Sequence, residues 1–220
     1  MNKKIKRDLS NRKGLLEVQN HTKNDSKKIL NIIGTIFLIW GIAAVIDNIF
    51  KIETGIAPVL WLSYICLIII GIGILKKDSS LIASQIAIIA IPYVLWNLDF
   101  FHHLITNTSL FGITDYFFSP GPFTGKIIAL QHIFNIPLSL YSIHLIGLKR
   151  RDFWKISLVQ ITIIFPITRA VTSYEQNVNC VYRNCANFDF GFPYILEWFV
   201  AYILMIFITS WFLSKIFYKK

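Results

Sequence analysis

Long apolar runs alternate with short polar breaks along the chain, and each run has the length of a membrane-crossing helix. Six stand out, at about 29–50, 57–75, 81–101, 127–148, 156–173 and 192–216. A helix rises about 1.5 Å per residue, so roughly 20 apolar residues cross a hydrocarbon layer of about 30 Å. The runs are continuous, as in Leu67-Ile-Ile-Ile-Gly-Ile-Gly-Ile-Leu75, whereas barrel strands alternate over about 10 residues. Isoleucine favours strands in water, but in lipid every backbone N–H must bond within its own segment, and that requirement wins. The pattern predicts an all-α polytopic membrane protein, a bundle of six transmembrane helices spanning 29–216.

Composition agrees. Of 220 residues, 55% are hydrophobic and only 15% charged, against roughly 25% charged in soluble domains. Little chain remains for a soluble domain, so any chemistry lies in or at the membrane. Residues 1–28 hold nine Lys/Arg and three acidic residues and read as a flexible, basic cytoplasmic tail; residues 217–220 form a second short one. The first apolar run is longer than the roughly 7–15-residue core of a signal peptide, so it reads as a span rather than a cleavable leader.

Charge sets the expected orientation. With the N-terminus in the cytoplasm, segments 1–28, 76–80, 149–155 and 215–220 face inward and carry 18 of the 22 Lys/Arg. This is the positive-inside bias. The exceptions are Lys51, Lys126, Arg169 and Arg183. An even number of spans puts both termini in the cytoplasm. The net charge of +10 is thereby a topology signal, and nucleic acid is not needed to explain it. Trp154 and Tyr218 suit an inner aromatic belt; Trp61, Trp96 and Trp198 suit an outer one. The outer loops, about 102–125 and 174–191, are long, and the inner ones short. The first is apolar enough to lie across the outer face as a lid or re-entrant turn. No internal repeat aligns.

Ionisable groups inside spans are costly and face the bundle interior. Asp47, Asp99, His102, His103, His132, Arg169 and Glu197 all fall toward the outer side, with His144 alone near the inner end. Same-face spacing gives three polar stripes: Gln85, Pro92, Trp96, Asp99 and His103; His132, Asn135, Ser139 and Ser142; Thr162, Pro166, Arg169 and Ser173. Together they predict a shared polar pocket opening outward. The bland alternative is that the Ser and Thr residues glue helices together.

An Asp four residues before a His can orient it and raise its basicity. Asp99, His103 and His132 are therefore the candidate catalytic set. With Glu197 they also supply enough N/O ligands for a divalent metal such as zinc, provided they converge from separate helices. Arg169, Asn135, Glu197 and Asp115 are candidates for holding substrate. Arg169 suits an anionic head group, or equally an ion pair with Asp99 or Glu175 that fixes helix packing. Cys66 lies mid-span as apolar packing. Cys180 and Cys185 share an outer loop on the oxidising side and are a candidate disulfide. No C-x-x-C, P-loop or G-x-S-x-G motif is present.

Several blocks resemble a family of small prokaryotic integral membrane proteins without an assigned function. They are Leu60-Trp-Leu-Ser63 with Gly71-Ile-Gly-Ile-Leu-Lys-Lys-Asp-Ser-Ser-Leu-Ile82, Trp96-Asn-Leu-Asp99, Asp115-Tyr-Phe-Phe-Ser-Pro120, Leu130-Gln-His-Ile-Phe-Asn-Ile-Pro137, Leu148-Lys-Arg-Arg-Asp-Phe153 with Gln160, and Glu175-Gln-Asn-Val-Asn179. The resemblance covers about 57–185 and implies a six-span fold in a prokaryotic cell membrane. It matches Asp99, Asp115, His132, Pro137 and Asn179 to signature positions. Where the family carries Trp after the Asn-x-Asn step, this chain has Cys180.

The leading expectation is a membrane-embedded enzyme acting at the outer leaflet on a lipid-like substrate. His132 and His103 would serve as acid/base groups or metal ligands, Asp99 as orienter and Arg169 as anion holder. The alternatives are a small-solute or ion transporter, whose path the stripes would line, and a scaffold whose loops dock a partner.

Overall fold

The computed structural model describes residues 3–50, 57–185, 191 and 193–218. These residues form α-helices α1 (Lys3–Phe50), α2 (Leu62–Lys76), α3 (Ser79–Thr106), α4 (Asp115–Phe118), α5 (Phe123–Ala129), α6 (Gln131–Ile146), α7 (Trp154–Val171) and α8 (Tyr194–Phe217), with short 3-10 turns at Ala57–Leu60 and Val178–Cys180. No β-strand forms among the described residues; Leu148 and Tyr218 make one isolated bridge. Four helices are long and apolar enough to cross a membrane: Asn24–Phe50 of α1, α3, α7 and α8. Lys51 and part of the 174–191 loop lie outside the described residues.

Three expectations about the elements change. The basic segment before residue 29 is helical from Lys3 onward rather than a loose tail. It is rich in Lys, Arg and Leu and contains no Pro, so a helix nucleated in the apolar run propagates backward at little cost. The second run is helical only over the 15 residues of α2, about 22 Å. The fourth run breaks at Leu130 into α5 and α6.

α3 is central and packs against α2, α6, α7 and α8. Its start is set locally. Asp78 caps it, accepting from Ser80 N at 3.0 Å and Leu81 N at 3.2 Å, while Lys77 turns left-handed (φ 54°) to end α2. Such a cap and a left-handed exit make a tight helix-to-helix turn.

α1 and α2 meet backbone to backbone. A Cβ on Gly71 would stand 2.8 Å from Leu38 N and 3.0 Å from Gly34 O. Small residues that let helices approach this closely replace the hydrophobic driving force that is missing between helices in lipid. Deeper in the bundle, Gln85 Nε2 donates to Gln160 Oε1 (2.8 Å) and Ser84 Oγ (3.0 Å), and Ser157 Oγ donates to Ser84 O (2.7 Å). These bonds tie α3 to α7. The outside is apolar instead, with Ile32, Ile39, Ile46, Val159, Ile163, Leu204 and Trp211 all exposed.

The polar stripe expected on α7 faces outward: Thr162 and Pro166 are exposed, and the buried face is Ser157, Ile161, Phe165 and Thr168. Thr162 tolerates this because its hydroxyl donates to Leu158 O one turn back (2.8 Å). Trp96 and Trp198 turn inward, each 3% exposed. Their N–H groups donate to Tyr116 Oη and Asn179 O, so they are core residues rather than belt residues.

Gly71→Ala is expected to cost about 1–3 kcal/mol through overpacking. The check is Tm in detergent, compared with Gly121→Ala, whose new Cβ meets nothing within 4 Å. Equal Tm values would refute the close α1–α2 contact.

Candidate functional site

Asp99 is fully buried in α3, and four donors fill its carboxylate. Leu110 N and Phe111 N donate to Oδ1, both at 2.7 Å. Thr114 N and Thr114 Oγ1 donate to Oδ2, both at 2.8 Å. Charge-assisted bonds of this kind are the strong ones. They pull the 107–114 loop down onto the end of α3, where Phe117 and Phe118 of α4 pack on the Trp96 and Phe100 rings. The loop expected as a lid is therefore anchored, and Asp99 orients a backbone rather than a histidine.

The other candidates separate. The His103 ring stacks on Phe118, with centroids 3.8 Å apart. Its Nδ1 lies 3.2 Å from Ser109 Oγ, whose hydroxyl in turn donates to Asp115. Ser109 thus joins His103 to Asp115, but the hydroxyl stands between the ring and the carboxylate, so Asp115 does not orient the ring directly. Arg169 donates to Val181 O (2.6 Å) and lies over the Tyr182 ring (4.7 Å). Glu197 is buried in the first turn of α8. No trio of His, Cys, Asp or Glu among the described residues is placed to hold a metal. The metal set expected from separate helices does not assemble, because the Asp99 oxygens are spent on loop N–H groups and the two rings are stacked in separate aromatic slots.

His132 has a different part. Its ring lies between Tyr93 and Trp96, with centroids at 4.3 and 4.6 Å. Its Nδ1 is 2.7 Å from Ala129 O. A carbonyl only accepts, so Nδ1 carries the hydrogen, and in the neutral ring Nε2 holds the lone pair. In an unbroken helix Ala129 O would accept from Ile133 N; here Ile133 N turns to Leu130 O (3.1 Å). The imidazole takes the vacated carbonyl, which explains the break between α5 and α6. Asn97 Nδ2 clamps the same point to α3 by donating to His132 O (2.8 Å) and Tyr93 O (2.7 Å).

The second loop is held by two asparagines in left-handed conformation, Asn177 (φ 42°) and Asn179 (φ 54°), a region asparagine tolerates. Asn179 Oδ1 accepts from Leu62 N (2.7 Å), and its Nδ2 donates to Leu60 O (2.8 Å) and Thr168 Oγ1 (3.3 Å). It caps α2 from across the bundle, since Trp61 at the N-cap offers no acceptor. Asn177 Oδ1 accepts from Tyr182 N and Arg183 N. A Cys180–Cys185 disulfide closes the loop.

Unspent hydrogen-bonding capacity collects elsewhere. Gln131 Nε2 and Oε1 are buried without a protein partner, and beside them the side chains of Tyr93 and Asn135 lie within hydrogen-bonding reach of each other. Gln131 and Asn135 are 2% and 1% exposed, and Asn135 Oδ1 accepts from Ser139 Oγ (3.2 Å). Of this group sequence reasoning singled out only Asn135. The available signal was the i, i+4 spacing that places Gln131 on the same face as Asn135 and Ser139.

Comparison with family models, curated proteins and solved structures finds no match.

Asp99→Asn is expected to lower stability by about 3 kcal/mol and to accelerate hydrogen exchange at Leu110, Phe111 and Thr114. Unchanged protection there would refute the anchor. Asn179→Ala is expected to cost about 2–4 kcal/mol and to expose the first turn of α2 to exchange. Wild-type protection at Leu62 would show that α2 is capped by another group.

Proposed function

We propose that the chain is a six-span integral membrane protein with both termini cytoplasmic, and that it handles a lipid-like molecule within the outer half of the bilayer. The charge asymmetry supports the orientation. The exposed apolar residues on α1, α7 and α8 support lipid contact. In this arrangement α2, and α5 with α6, complete the six spans as a short helix and a broken one, each braced at its weak point: Asn179 at the start of α2, His132 and Asn97 at the α5–α6 break.

The observation that carries the functional reading is the group Tyr93, Gln131, His132 and Asn135 on α3 and α6. Asp99 and Asn179 spend their polar atoms holding loops and Arg169 gives a donor to Val181 O, whereas Gln131 Nε2 and Oε1 have no hydrogen-bond partner within the protein. Unpaired polar atoms in hydrocarbon are costly and mark functional positions. His132 is the one imidazole in the group, and its Nε2 lone pair makes it the proton-transfer residue of an enzyme of this kind.

Two measurements test this reading. Single cysteines placed in the 107–114 and 149–153 loops, on a background without native cysteines, are expected to react with a membrane-impermeant reagent from outside and only after permeabilisation, respectively. The reverse pattern overturns the orientation. Proteoliposomes made from total bacterial lipid are expected to show one species converted by wild type and not by His132→Ala, which still inserts and folds. Conversion that persists in His132→Ala removes His132 as the proton-transfer residue, and no conversion by wild type removes the enzyme reading.

A further inference from the structure

The turn from α6 to α7 gathers charge. Residues 149–155 hold Lys149, Arg150, Arg151 and Lys155 against one acid, Asp152. All four cations are exposed, yet the turn is tied down. Leu148 and Phe153 are buried. Lys149 N donates to Ser79 Oγ at the start of α3 (3.3 Å). Leu148 bridges to Tyr218 just after α8, and the Arg151 guanidinium lies 4.4 Å over the Tyr218 ring. The cations are thus presented on a platform fixed to the ends of α3 and α8, which lowers the ordering cost of binding.

Between the first turns of α3 and α7 the platform leaves a shallow notch, lined by Ser80, Arg150, Asp152, Phe153, Lys155 and Ile156. Arg150 shows what its charge can hold. Its Nε and Nη2 donate to the two oxygens of Asp152 at 2.9 and 2.8 Å, and Lys155 Nζ stands 3.6 Å from Oδ2 of the same carboxylate. Two oxygens of a phosphate offer a guanidinium the same pair of acceptors. The pairs with Asp152 are exposed to solvent and add little stability, so they exchange readily. Asp78, also near Arg150, caps α3 instead.

The notch runs into an apolar surface. Ile156 lines it, and Ile156, Val159 and Ile163 stand exposed on α7 at offsets of 3 and 4, which place them on one face. Cations at the start of a helix and hydrocarbon along it match the two parts of a phospholipid. We infer that this notch binds one anionic phospholipid. Arg150 and Lys155 hold its phosphate in the place of the Asp152 carboxylate, and one acyl chain lies along Ile156, Val159 and Ile163. A zwitterionic head group carries its own cation, which the four basic side chains repel, so a net anionic lipid is selected. The site lies at the opposite end of α7 from Arg169, and it stands whether or not His132 transfers a proton.

The experiment is native mass spectrometry of the full-length protein in non-ionic detergent, titrated with dioleoylphosphatidylglycerol, with dioleoylphosphatidylcholine and inorganic phosphate as comparison probes. Wild type is expected to bind a first equivalent of phosphatidylglycerol about tenfold more tightly than phosphatidylcholine. Arg150→Gln/Lys155→Gln is expected to lose about tenfold in that affinity, as for two exposed ion contacts. Lys27→Gln/Lys28→Gln removes the same charge from α1, which packs against α2 and α6, and is expected to stay within about twofold of wild type. These four side chains are exposed, so both variants keep the fold. Asp152→Asn is expected to bind about fivefold more tightly, because a competing carboxylate is gone. Phosphatidylglycerol bearing a diazirine in its acyl chain is expected to cross-link within residues 156–163. Equal losses in the two double variants would mean attraction to overall positive charge and overturn the site. Unchanged binding in Asp152→Asn overturns the exchange with its carboxylate. Displacement of the lipid by millimolar inorganic phosphate means that the chain adds nothing and overturns the lipid as occupant, and cross-links confined to other helices overturn its placement. No preference for phosphatidylglycerol over phosphatidylcholine overturns the inference as a whole.

Discussion

A carboxylate buried where no water reaches it must be satisfied by the protein, and Asp99 shows what that requirement builds. Four donors from one loop segment converge on its two oxygens. The loop is thereby fixed to the end of α3, and the aromatic cluster of Trp96, Phe100, Phe117 and Phe118 closes over the junction. Because α3 contacts four other helices, the geometry of this junction passes to the rest of the bundle.

The same rule recurs at smaller scale. Asn179 satisfies the exposed start of α2, His132 takes up a carbonyl released by a helix break, and Gln85 with Gln160 binds α3 to α7. In each case a polar side chain completes a backbone or side-chain group that would otherwise be stranded in an apolar interior. Thr162 obeys the rule by bonding within its own helix, which frees it to face outward. Gln131 breaks the rule, with both of its amide atoms buried and unpaired, and that exception directs attention to this part of α6.

Much of this was legible beforehand. Unbroken apolar runs point to helices, and the inward bias of α3 follows from Gln85, Trp96 and Asp99 sharing a face. The α7 stripe was misread because spacing identifies a common face without saying which way it points; the hydroxyl of Thr162 looked buried until its local bond was seen. The proposed convergence of Asp99, His103 and His132 failed for a related reason. Residue type announces that a group needs partners, but the partners of Asp99 are backbone N–H groups, which every residue carries and no pattern marks.

Chain order alone therefore determined the helical class, the approximate length of each apolar run and the charge asymmetry, because hydrophobicity and charge are summed locally and do not depend on neighbours in space. Only the folded bundle decided which polar atoms are spent and which are spare. That depends on whether a donor from a distant segment arrives within about 3 Å, and such arrivals are a property of packing.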